Sequence, residues 1–160
     1  MAHWAELNLK DRLMLRAYPW RRIRPTPFAA LSRPLSSCRL ALVSSAGLVL
    51  SGQPPFDAGK RGGDFSFREI PSDTPAQDLI DTHRSQAFDH TGIRSDPNLG
   101  LPLDRARELV ERGRVGSLAT HHFSFMGSIT APGRLMRESA PAAAAQLVKD
   151  GVNAALLVPV

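Results

Sequence analysis

The apolar positions of this chain fall into two kinds of run. Leu40, Ala41, Leu42 and Val43 are contiguous, and so are Ala154, Ala155, Leu156, Leu157 and Val158. A continuous apolar run bounded by turn residues predicts a strand buried on both faces, as in a parallel sheet. On this reading Val152 to Val160 is a core strand. LDRARELVERGRVG has a different rhythm. Leu103, Ala106, Leu109 and Val110 recur at intervals of one to three residues that put them on one helical face, and Gly113 or Gly116 ends the helix. RLMRESAPAAAAQLVKDG predicts a second helix, kinked or restarted near Pro141 and stopped at Gly151. Trp4, Leu7 and Met14 predict an amphipathic helix over residues 2–17, FREIP a short strand, and Ser117 to Thr120 another strand with His121 and His122 at its end.

Between these elements the periodicity fails. Residues 18–37 are rich in Pro, Ser and Arg and read as an extended arm. Residues 52–66, GQPPFDAGKRGGDFS, form a long loop of the kind that usually carries function or moves. The elements together predict an α/β fold. A mainly parallel, Rossmann-like sheet is flanked by helices over residues 38–160, and residues 1–37 form a basic helix and Pro-rich arm. The final helix, glycine and strand are half of a βαβ unit.

Charge sharpens the division. Residues 1–40 hold eight Lys/Arg against Glu6 and Asp11, a net of +6, while the remainder of the +5 chain is close to neutral. The basic residues are interrupted by Pro19, Pro25, Pro27 and Pro34 and stand beside no nucleic-acid-reading motif, so a solvated arm is expected and no nucleic-acid partner. No run of about 18 apolar residues is present and the N-terminus has no signal-peptide core, which predicts a cytoplasmic protein without a membrane partner. The single cysteine, Cys38, precludes an internal disulfide or a CxxC pair within these residues, and its place before an apolar run is that of a small residue at a strand start.

Three stretches hold candidate chemistry. DTHRSQAFDHTGIRSDPN brings His83, Asp89 and His90 within eight residues. Asp-His pairs fix imidazole tautomers for acid/base work, and they also serve simply to tie down loops. The spacing matches no zinc signature, and no metal is expected. GSLATHHFSFMGS adds His121 and His122, of which only one can face a given site if the backbone is extended. SSAG, after the first apolar run, sits where α/β sheets place ligand loops, so Ser44, Ser45 and Gly47 are candidate substrate contacts. It lacks both the glycine spacing of a dinucleotide fingerprint and the lysine of a phosphate loop.

Taken in order, RLALVSSAGLVLSGQPPFD, GDFSFREIPSDT, FDHTGIRSDPNLGLPLDRARELVERGRVGSLATHHFSFMGSIT and APAAAAQLVKDGVNAALLVPV resemble the selenoprotein B family of glycine, sarcosine, betaine and D-proline reductases, in particular its short proline-reductase-like branch. The resemblance covers roughly residues 16–160. It implies reductive cleavage of a C–N bond in an amino-acid-derived small molecule, or selenol/thiol redox chemistry, with a pyruvoyl-bearing partner reductase subunit or a thiol reductant. It further implies that NAALLVPV leads into a selenocysteine or cysteine. The full-length form is then expected to carry that nucleophile just after Val160. The 160-residue chain would be an inactive truncation at an in-frame UGA codon, with no cofactor of its own and its C-terminal part missing. His83, Asp89, His90, His121 and His122 are the expected catalytic candidates. Two other classes remain open on the residues alone. One is a non-catalytic assembly module completed by a partner subunit, and the other is a His/Asp metal-dependent hydrolase.

Overall fold

The computed structural model describes residues 7–18, 23–86 and 88–160. Trp4, Pro19, Arg21 and Arg22, assigned above to the helix and arm, lie outside the described residues. The chain divides into two compact units, Met1–Ala30 and Leu31–Val160. In the first, α1 spans Leu9–Ala17, starts where Asn8 accepts a hydrogen bond from the Asp11 amide, and buries none of its residues. Leu9, Leu13 and Met14 are all more than half exposed.

The second unit is built around β1 (Arg39–Ser44). Leu40, Ala41, Leu42 and Ser44 are buried, as a strand with neighbours on both edges and cover on both faces requires. On one edge β1 meets a broken strand. Its amino half pairs with β5 (Ser117–Leu118) and its carboxyl half with β6 (His121–Phe125), both parallel. The expected single strand over Ser117–Thr120 is therefore two residues long, and the chain re-enters the sheet at His121. β3 (Phe67–Pro71) lies outside β6 and runs antiparallel to it, so the sheet is mixed and mostly parallel. On the other edge β7 (Ala154–Val158) runs parallel to β1, with Leu42 opposite Leu156. A separate antiparallel ribbon joins β2 (Leu48–Val49) to β4 (Ile80–Asp81).

The position of β7 corrects the expectation of a core strand. It is parallel to β1 but stands at the sheet edge, and Leu156 and Leu157 are 47% and 68% exposed. A strand with one neighbour lacks cover on its outer edge however apolar its sequence.

Helices pack on the sheet. The short α2 (His90–Ser95) and α3 (Leu103–Glu111) contribute Ile93, Leu103 and Ala106 to a core that also contains Leu40, Leu42 and Ile70. Each such apolar side chain removed from water contributes roughly 1.5–3 kcal/mol. Leu109, assigned to the same buried face, is 40% exposed at the end of its helix. α4 (Ala140–Lys149) follows a π-helical turn at Leu135–Ser139, which is where the sequence predicts an irregularity before Pro141. It ends at Gly151, with φ of +73°. The Val152 amide there bonds Leu147 O and the Gly151 amide bonds Val148 O, which satisfies two terminal carbonyls. β6, α4 and β7 thus form a βαβ unit with β1 between its strands.

Candidate functional site

The carboxyl ends of β1, β6 and β7 come together, as open α/β sheets require of a ligand site. After β1, the Ser45 amide bonds Val158 O, and its hydroxyl both donates to Val160 O at 3.2 Å and accepts from the Val160 amide at 3.0 Å. After β6 comes Gly127. A Cβ there would lie 2.8 Å from Ser45 O, 2.9 Å from His83 Nε2 and 3.1 Å from Val160 O. Only a residue without a side chain admits these three groups to one place. A cleft of about 340 Å³ opens beside Val160, lined also by Phe88, Asp89, Ile93 and Leu99.

His83 reaches this point because of the β2–β4 ribbon. Gly47, with φ of +66°, lets the His83 backbone approach, since a Cβ there would sit 3.1 Å from His83 Cα. The His83 amide donates to Asp81 Oδ1 at 2.9 Å, and its ring stacks on Phe88 with centroids 4.2 Å apart. The Ser85 amide donates to His83 Nδ1 at 3.3 Å, which assigns the ring proton to Nε2. That Nε2 is buried and has no partner among the described residues. Burial holds the His83 pKa below the ordinary histidine value, Asp81 opposes this, and His90 and Arg84 add to it. His83 is therefore a neutral imidazole whose N–H points at the meeting of the three strand ends.

His90 has the opposite character. Its Nδ1 is 2.6 Å from Asp81 Oδ2 and its Nε2 is 3.0 Å from Ser85 O, so both ring nitrogens face acceptors. Only the doubly protonated ring satisfies both. The hydrogen bond to Asp81 raises its pKa, and the Ser85 carbonyl adds to the effect. Asp81, whose side chain is 2% exposed, also receives Arg94 Nε at 3.2 Å. Two histidines share Asp81 and Ser85, and their surroundings move their pKa values in opposite directions. Paired groups driven apart in pKa are a feature of acid/base sites.

Of the other candidates only Asp89 borders the Val160 cleft. Asp89 caps α2 by accepting from the Gly92 amide at 2.9 Å. His122 is fully buried inside the sheet, where its Nδ1 accepts from the Leu42 amide at 3.1 Å and fills the gap between β5 and β6. Burial pushes its pKa down to about 4, with Arg107 and His121 adding to the effect. His121 stands at the amino end of β6 in a separate groove with Glu69, Thr120 and Asp150. Cys38 is buried before β1, 3.4 Å from Pro34 O, at the amino end of the sheet. In SSAG, Ser44 Oγ donates to Gly100 O at 2.6 Å, and the amides of Ser45, Ala46 and Gly47 are all occupied, so the turn presents Ser45 Oγ and carbonyls but no free N–H. Among the described residues no group of three His, Cys, Asp or Glu side chains is placed to hold a metal ion.

Asp81, Ser85 and Gly127 escaped the sequence reading. Asp81 does stand two residues before His83, a local cue, but Ser85 acts through its backbone and Gly127 through a missing side chain.

A family model described as glycine/sarcosine/betaine reductase selenoprotein B matches residues 9–160. The chain belongs to this selenoprotein B family. It is 32% identical over 136 residues to the D-proline reductase subunit gamma of Acetoanaerobium sticklandii, covering 84% of this chain and 54% of that protein. It is 29% identical over 139 residues to the sarcosine reductase complex component B subunit beta of Peptoclostridium acidaminophilum, covering 85% and 30%. Against the glycine reductase complex component B subunit gamma of Carboxydothermus hydrogenoformans it is 27% identical over 139 residues, again covering 85% and 30%. The chain thus spans about half the length of the first relative and 30% of the other two. No solved structure matches this selenoprotein B family member. Among the described residues no helix is long and apolar enough to cross a membrane.

Proposed function

We propose that this chain forms the carboxyl-end site of a reductase acting on an amino-acid-derived substrate of the glycine, sarcosine, betaine or D-proline type. The observation that carries the reading is the buried, unpartnered Nε2–H of His83 at the junction of Ser45, Gly127 and Val160. In this reading the family's selenol, or a thiol in its place, is met at the carboxyl end of β7. A chalcogenolate is a strong nucleophile and carries a full negative charge. A preorganised neutral N–H donor is suited to hold that anion, or the anionic oxygen of a substrate, without surrendering its proton. Asp81 and Ser85 position the ring, and the His90 cation adds favourable potential for a bound anion. A partner subunit or a thiol reductant supplies the electrons.

The complex that assembles on this chain in its source organism is to be assayed for dithiol oxidation dependent on glycine, sarcosine, betaine or D-proline. His83→Phe is expected to lower kcat by about 100-fold or more, the scale of losing one preorganised donor to a developing anion. His83→Gln, which keeps an N–H donor, should recover part of that loss. Full turnover in His83→Phe, or no turnover of any of the four compounds by the unaltered complex, would sink the reading.

A further inference from the structure

β7 and α4 together present an exposed apolar surface. From Ala140 to Val148 the helix carries no charged side chain, and none occurs from Val152 to Val160. Helices at a protein surface normally turn a charged face to water. Here Ala142, Ala144 and Ala145 are exposed and Val148 is 76% exposed. Leu156 and Leu157, which project to opposite faces of the strand, are also open to solvent. The outer edge of β7 pairs with no strand among the described residues. An apolar groove of about 250 Å³ runs between the start of α4 and the end of β7, lined by Leu135, Ala140, Leu157, Val158 and Pro159 among others.

An apolar edge strand without protective charge, proline or bulge along its ladder is a template for strand addition, and β7 is five residues of this kind. Exposure of both Leu156 and Leu157 asks for cover on both faces as well as along the edge. A single added helix leaves the edge open, and a single added strand leaves the faces open. The occupant that meets all three demands is a strand with flanking helical segments. The D-proline reductase subunit gamma has nearly as much polypeptide outside the matched region as within it, because this chain covers 54% of its length. We infer that the β7 edge and α4 face are the docking surface for that further part of the family polypeptide, which adds a strand beside β7 and packs apolar side chains on Leu156, Leu157 and Val148. The inference rests on the exposed surface and the relative's length, and it stands whether or not His83 is catalytic.

Co-expression of this chain with the part of the A. sticklandii D-proline reductase subunit gamma that lies outside the matched region tests it. A 1:1 complex is expected by light scattering, with amide exchange along β7 slowed by about tenfold or more relative to the chain alone. Val148→Glu, on an exposed helix position where folding is not at stake, should weaken the complex by roughly tenfold, and Leu157→Lys should weaken it further. Glu111→Lys, at the end of α3, should leave it unchanged. Absence of a complex overturns the inference. So does a homodimer of this chain that is lost in Leu157→Lys, because that assigns the surface to a second copy.

Discussion

His83, His90 and His122 show how environment rather than residue type sets the role of an imidazole. His122 sits in the sheet with Nδ1 on the Leu42 amide and its pKa at about 4, so it is neutral in the fold at ordinary pH. The unfolded chain takes up a proton there below about pH 6.5 while the folded protein does not until about pH 4. Because the unfolded state binds more protons in that window, stability is full above it and falls as pH drops through it, by roughly 3 kcal/mol at most. His83, also lowered, acts in the same direction. His90, raised by Asp81, acts oppositely: its contribution is complete at low pH and fades as pH rises through its folded pKa. Urea unfolding at about pH 7 and about pH 4.5 should therefore show a marked acid loss that His122→Gln flattens, whatever the variant's own cost. An unchanged pH slope in that variant would remove His122 as the source.

At the scale of elements, the turn after β6 is the most demanding piece of backbone. Gly127 faces two carbonyls and an imidazole nitrogen, none of which lies at the end of a long flexible side chain. Gly127→Ala is expected to cost about 1–3 kcal/mol by overpacking and to displace His83 from Val160. The check is thermal unfolding together with the ring NMR signals of His83. Gly113 is the useful contrast. Its φ is +65° but no atom lies within 4 Å of an added Cβ, so Gly113→Ala should cost only about 1 kcal/mol of backbone strain and leave His83 untouched. Equal effects of the two substitutions on His83 would show that the close approach at Gly127 is not what sets its position.

On the scale of the whole molecule, the two compact units differ in what they bury. Among the described residues, those of the two apolar clusters all lie in 31–160, whereas α1 buries nothing. A chain beginning at Leu31 is expected to fold as the full chain does, with a change in stability of no more than about 1 kcal/mol, as for surface substitutions that remove no buried contact. Circular dichroism and denaturant titration check this. An unfolded or aggregated product would mean that the first unit is part of the core. The selenoprotein B family match spans residues 9–160 and so takes in part of the first unit as well as the second.

Much of this architecture was legible in the residues. The unbroken run Leu40–Val43 required a strand covered on both faces. The spacing of Leu103 and Ala106 required a helix packed on the core, and Gly151 required the stop that the two carbonyl bonds of α4 confirm. These are local consequences of side-chain period and backbone freedom. The ordered match of four stretches carried the family. What tertiary structure alone decided was which side chains meet. Composition made β7 look like a core strand, but burial depends on neighbours, and β7 has only β1. His83 and His90 are seven residues apart and have their pKa values moved in opposite directions, His83 by burial and His90 by its hydrogen bond to Asp81. His121 and His122 are adjacent, yet one lines a groove and the other plugs the sheet. No periodicity encodes Gly127, whose function is to leave room for atoms contributed by positions 45, 83 and 160. Long-range packing brought those three positions together, because the parallel strands of a βαβ unit end at one rim of the sheet however far apart they lie along the chain.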